Sequence, residues 1–99
     1  MRKYKGKNEF IVITERIEKA IEKEEFKEFV KKSLERFDGK DWGELEPTDA
    51  ELNNDDEALG VYVKTSFEAD KKNLEQKIWI KRNFDGENYI ITILFPEEY

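Results

Sequence analysis

Carboxylates are the only acid–base groups this chain has in quantity, so any chemistry it performs has to start from them. The 99 residues include 24 Asp and Glu against 18 Lys and Arg, with no His and no Cys. Without His the chain lacks the commonest general base near neutral pH and the commonest metal ligand. Without Cys it has no disulfide, thiolate or sulfur–metal chemistry. Ser33 and Ser66 have no imidazole to activate them. A carboxylate pair can hydrolyse a glycoside when it straddles a cleft at roughly 5–9.5 Å, but no spacing here singles out a pair. Asn54-Asp55-Asp56-Glu57 offers oxygens to a hard cation but lacks the alternate spacing and central Gly of a calcium loop. Gly39, Gly43, Gly60 and Gly86 are scattered and form no phosphate loop. The expectation is a protein that is not an enzyme, with no catalytic residues, no metal and no cofactor.

The distribution of the acids says more than their number. Asp41, Glu44, Glu46, Asp49, Glu51, Asp55, Asp56 and Glu57 follow one another with no Lys or Arg between them. Eight negative charges in residues 41–57 exceed the net charge of −6 of the whole chain. One reading is a solvated charged face. The other is a negative patch that docks on a basic groove, raising the association rate and making binding salt-sensitive. Carboxylates spaced along a helix can imitate a phosphate backbone. An acidic balance of this size argues against direct nucleic-acid binding, which needs a basic footprint.

Aromatics are the other residues able to bind. Trp42 either folds back to seal the core or stands out as a binding anchor. Tyr62 and Trp79 both alternate with the expected inward residues of their strands, which puts both on the outer sheet face. There they are either binding hot spots or covered by a second element, such as a helix over residues 47–58.

These residues need a scaffold, and the pattern supplies one. Phe10–Thr14 is a short β-branched run that suits a strand. Thr14 can cap a short helix bearing Ile17, Ala20 and Ile21 on one stripe. Phe26, Phe29, Val30, Leu34 and Phe37 then mark one face of an amphipathic helix, with Ser33 as a small packing residue beside it. Asp38-Gly39 reads as its stop, with Gly39 in a left-handed conformation. Pro47 starts a short helix reaching about Ala58, with Leu52 and Leu59 as its candidate core-facing residues and Gly60 ending it. Val61, Val63, Thr65 and Phe67 alternate as the inward face of a strand, and Ile78 and Ile80 do so in another. Residues 68–76 read as a polar hairpin loop and Asp85-Gly86 as a tight turn. Tyr89–Phe95 is apolar at nearly every position, so it is central, and the 10–14 strand can lie beside it.

The expected fold is α+β. An antiparallel sheet of three to four strands carries the amphipathic helix on one face, with one or two short helices besides, in a single domain over residues 1–99. Residues 1–9, with a local charge of +3, read as a frayed terminus. No apolar run approaches the roughly 20 residues that span a bilayer, and Phe10–Ile13 is too short for a signal peptide. A cytoplasmic protein with no membrane partner is expected.

The C-terminal part, residues 36–99, resembles a family of small proteins carried on bacterial plasmids and other mobile elements. Some of them are labelled plasmid-related and others as a type I restriction subunit. The resemblance rests on Asp41-Trp42-Gly43-Glu44-Leu45, Asn54-Asp55 with Ala58-Leu59, Lys77-Ile78-Trp79-Ile80, and Thr92-Ile93-Leu94-Phe95-Pro96-Glu97-Glu98-Tyr99. This chain departs where the family has His (here Phe37), Gly (here Lys40) and a Glu-Ala-Asp-Arg turn (here Arg82–Asn88). The resemblance implies a context, mobile elements meeting bacterial defence, and no mechanism.

Together these readings give a non-enzymatic inhibitor, anti-CRISPR or anti-restriction. It would bind a nucleic-acid-handling defence enzyme through Asp41, Trp42, Glu44, Glu46, Asp49, Glu51, Asp55, Asp56, Glu57 and Trp79. The alternatives are a homodimeric structural or regulatory module joined through Tyr62 and Trp79, and a carboxylate-only enzyme, with Mg²⁺ as its one conceivable ion.

Overall fold

In the computed structural model, the structure describes residues 8–54, 56–66 and 74–99. The elements are strand β1 (Glu9–Ile13), helices α1 (Glu15–Ala20), α2 (Glu24–Asp38) and α3 (Pro47–Ala50), then strands β2 (Ala58–Ser66), β3 (Leu74–Phe84) and β4 (Tyr89–Leu94). A short 3-10 turn, Pro96–Glu98, follows. The fold is α+β. One four-stranded sheet runs in the order β1-β4-β3-β2. β2, β3 and β4 form an antiparallel meander, and β1 joins β4 in parallel, Glu9 opposite Tyr89 and Ile13 opposite Ile93. The two-sided apolarity of β4 is thereby explained, since it lies between two strands. The parallel sense departs from the all-antiparallel expectation. A parallel pair cannot be joined by a tight turn, and the long stretch of chain between Ile13 and Tyr89 supplies the crossover it needs.

α1 and α2 supply the layer that covers one sheet face. Thr14 caps α1, its hydroxyl accepting from the Ile17 N–H at 3.3 Å. Phe26, Val30 and Phe37 of α2 are buried with Ile17 against Tyr62, Ile78, Ile80, Ile91 and Ile93. Ser33 is buried too, its hydroxyl donating to the Phe29 carbonyl at 2.8 Å. Phe29 and Leu34 pack at the margin of this core. Glu98 ties the C-terminal turn to this layer, its carboxylate accepting from the Thr14 hydroxyl and the Phe95 N–H.

Four expectations are corrected. Tyr62 lies fully buried on the helix face, because β2 pairs it opposite Ile78 and opposed residues share a face. Val61, opposite Trp79, is on the outer face instead. α3 ends at Ala50 and the strand starts at Ala58, so Leu52 is 75% exposed rather than in the core. The physical cause is local. The Asn53 side chain bonds both backbone groups of Leu59, and the Asn54 side-chain oxygen Oδ1 accepts from the N–H groups of Asp56 and Glu57. Side chains that satisfy the backbone in this way compete with helix. Gly39 ends α2 at φ −84°, and the left-handed residue is Lys40 at φ 64°. The strand after the expected 68–76 loop already begins at Leu74; residues 68–73 of that loop, and Phe67 expected in the strand before it, lie outside the described residues. The frayed-terminus reading likewise falls outside them for residues 1–7. At the other hairpin the expected turn is present: the Asp85 carboxylate accepts from the N–H groups of Glu87 and Asn88, with Gly86 at φ 98°.

Candidate functional site

The segment after α2 crosses to the free edge of β2. The Val61 N–H donates to the Trp42 carbonyl at 3.0 Å and the Glu44 N–H to the Val61 carbonyl at 2.7 Å, making a parallel bridge at Gly43. Gly43 stands at φ 68°, and a Cβ there would collide with the Val61 carbonyl oxygen. Only glycine allows both the backbone angle and the approach. Asp41 and Arg36 hold the loop from the helix side with bonds of 2.7 and 3.2 Å. The Arg36 guanidinium, with the Gly43 N–H second, keeps the Asp41 carboxyl below the usual carboxylate range. The Asp41 carbonyl in turn accepts from the buried Tyr62 hydroxyl at 2.8 Å. Burial pushes that phenol well above its ordinary pKa. Trp42 packs edge-on against Phe37 with ring centroids 5.3 Å apart, half-buried at the core margin. Asp41-Trp42-Gly43 is thus a structural clasp.

The remaining acids lie differently. Glu44, Glu46, Asp49, Glu51 and Glu57 are exposed. Among the described residues, the carboxylates of Glu46, Asp49, Glu51 and Glu57 make no ion pair and no hydrogen bond; Glu44 lies within the field of Arg36. Elsewhere some acids are matched, Glu9 with Arg82, Glu25 with Lys64, Glu28 with Lys31 and Glu97 with Arg16, while others on the helices, such as Glu22 and Glu35, are exposed beside Lys and Arg neighbours in the sequence. Asp56 turns away from the ridge and accepts from the Tyr89 hydroxyl at 3.3 Å. Asp55 lies outside the described residues. Asp49 and Glu57 rim an open cleft of about 390 Å³ whose walls include Leu45, Leu52, Leu59 and Tyr99. The structure therefore joins part of the expected acidic set to an apolar surface.

Trp79 sits half-buried on the outer sheet face, as expected from its alternation. Tyr99 folds over it with centroids 5.3 Å apart, and the Lys81 ammonium bonds the Tyr99 hydroxyl at 2.9 Å. Trp79 thus lies next to the cleft that Tyr99 helps to line.

One charged residue escaped the sequence reading. Arg82 continues the inward Ile78, Ile80 alternation, and its guanidinium lies between the rings of Phe37 and Tyr89 while pairing with Glu9 at 3.2 Å. Burial raises the pKa of Asp38 nearby, Arg82 opposing the effect in part. The period-two spacing from Ile80 was the available signal. The cluster is a part-buried electrostatic tie between β1, β3 and the end of α2.

No group of three or more acidic side chains among the described residues is arranged to hold a metal ion. No helix among them is long and apolar enough to cross a membrane. No protein-family model, curated protein or solved structure matches the chain.

Proposed function

We propose that this chain is a non-enzymatic binding protein that docks its acidic ridge and the adjoining apolar cleft on a basic surface of a protein partner. The observation that carries this reading is that Glu46, Asp49, Glu51 and Glu57, exposed and without an ion pair among the described residues, lie in a run with no Lys or Arg and beside the exposed Leu52. Charges without an internal partner lose nothing inside the molecule on meeting a cation outside it. They steer encounter, and an apolar patch beside them supplies the area that holds the complex. The partner class favoured is a nucleic-acid-handling enzyme of bacterial defence, because such enzymes present basic grooves. The resemblance to mobile-element proteins supports this context, and the left-handed backbone at Lys40 falls where those proteins carry glycine.

The test uses purified restriction and CRISPR nucleases, each holding a labelled DNA duplex. The wild type displaces DNA from one of them, with a midpoint that rises steeply with salt. The isosteric variant Glu46→Gln, Asp49→Asn, Glu51→Gln, Glu57→Gln displaces it at least about tenfold less well, since desolvated charge pairs at an interface contribute more than 1.4 kcal/mol together. Equal displacement by both proteins, or none by either across the panel, overturns the reading.

A further inference from the structure

We propose, resting on the acidic ridge as a docking surface, that the cleft beside it receives one apolar side chain from a basic helix of the protein partner. The Lys and Arg residues of that helix would lie along the ridge. The strand that forms one wall of the cleft decides the form of the occupant. Leu59 has both backbone groups bonded to the Asn53 side chain, and Val61 has both bonded to Trp42 and Glu44. A peptide cannot join β2 there as an added strand, because the hydrogen bonds it needs are already made. The occupant has to bring a backbone satisfied within itself, and a helix does so. The cleft holds about 390 Å³. One turn of a helix roughly 10–12 Å across and about 5.4 Å long already exceeds that volume, so the cleft takes an anchoring side chain and not the helix itself.

The walls and rim set the chemistry of the anchor and its flanks. Leu52 is 75% exposed and Tyr99 70%, the two most exposed large apolar side chains among the described residues, and both line this cleft. An aliphatic or aromatic side chain set between them takes apolar area out of water on both sides. Asp49 and Glu57 stand at the rim, and Glu46 and Glu51 belong to the same run, which holds no Lys or Arg. The cation among the lining residues is Lys81. Its ammonium donates to the Tyr99 hydroxyl at 2.9 Å and lies 4.6 Å from the centroid of that ring, so it is engaged with one wall and leaves the acids in excess. Cations a turn to either side of the anchor complement those acids. A nucleic acid does not fit, since the rim repels its phosphates. A second copy does not fit either. α2 carries five acidic residues against four basic ones and α1 two against two, so neither is a basic helix.

The probes are two synthetic helical peptides of Ala, Lys and Arg, identical except for Leu or Ser at the central position. Calorimetry is expected to show the wild type binding the Leu peptide about tenfold more tightly than the Ser peptide, the discrimination that burial of one leucine side chain gives. Leu52→Ser, at an exposed position, is expected to remove that preference with an unchanged circular dichroism spectrum. The variant Glu46→Gln, Asp49→Asn, Glu51→Gln, Glu57→Gln is expected to keep the preference and lose the salt dependence. Equal, salt-dependent binding of both peptides overturns the cleft as an anchor site and leaves the ridge reading standing. Binding of neither peptide also overturns it, while displacement of DNA from the nucleases still decides the ridge reading by itself. A preference for Leu that survives both Leu52→Ser and Tyr99→Ser places the anchor elsewhere and overturns the proposal. So does a wild-type dimer, seen by light scattering, that Leu52→Ser separates, because a second copy would then fill the cleft.

Discussion

The two edges of the sheet are finished differently. β2 is closed by its own chain. Trp42 and Glu44 engage both backbone groups of Val61, and the Lys64 ammonium reaches Glu25 of α2. β1 pairs with β4 alone among the described strands and keeps three consecutive apolar side chains about half exposed. Closing an edge from within demands backbone conformations that ordinary residues resist, and the clasp uses two, Lys40 and Gly43. The β1 edge contains no left-handed residue. The comparison assigns the Asp-Trp-Gly run to protection of the sheet. Of the acids that follow it, Glu46, Asp49, Glu51 and Glu57 make no ion pair or hydrogen bond through their carboxylates among the described residues, whereas Asp56 holds the Tyr89 hydroxyl.

The largest test of this contrast is Gly43→Ala. The added methyl meets the Val61 carbonyl at a left-handed position, and urea unfolding is expected to show a loss of about 3 kcal/mol. A loss below about 1 kcal/mol would mean that the loop does not clasp β2. Tyr62→Phe comes next. It strips the hydroxyl from the Asp41 carbonyl in a part-buried site, and a loss of about 1–2 kcal/mol is expected from the same measurement. Lys40→Gly works in the other direction. Relief of the left-handed strain, reduced by glycine's larger unfolded entropy, is expected to raise stability by about 0.5–1 kcal/mol. Unchanged or lowered stability would show that Lys40 is not strained.

The smallest effect concerns acid. A carboxyl whose pKa is depressed on folding contributes stability above its unfolded value, near 3.9, and loses it as the pH falls through the folded value. Asp41 and Asp85 are both of this kind, held down by Arg36 and by the Asn88 and Glu87 N–H groups respectively. The melting temperature is therefore expected to fall as the pH drops below about 4. Asp38, raised by burial, works against the trend. Asp41→Asn should flatten the fall; a curve that keeps the wild-type slope would show that the Arg36 contact adds nothing at the clasp.

Much of the fold was legible where a period repeated. The stripe from Phe26 to Phe37, the cap at Thr14, the Asp85-Gly86 turn and the central position of β4 all follow from local pattern. What escaped needs two elements at once. Tyr62 was placed outside because Val61 and Val63 look like the better core residues; its true face depends on the register with Ile78 and on Asp41 meeting its hydroxyl. The space above Gly60 is occupied by the Tyr62 ring, which no property of Gly60 alone announces. At the candidate site, the run of acids was visible as charge, but which of them were matched was not. Asp41 is bound to Arg36 and Asp56 to Tyr89, partners 5 and 33 residues away, while Glu46, Asp49, Glu51 and Glu57 stand alone.

The parallel union of β1 with β4 also sets an order of events in synthesis. Glu9 cannot find Tyr89 until roughly eighty further residues have been made, which at about 5–20 residues per second takes on the order of 4–16 s. Throughout that time Phe10, Ile11, Val12 and Ile13 have no strand to join. The first strand translated is the last to be docked. Nascent chains on neighbouring ribosomes of one message would expose the same short β-forming segment together, so a holding chaperone or slow translation between β1 and β4 would affect the yield of this protein more than its final stability.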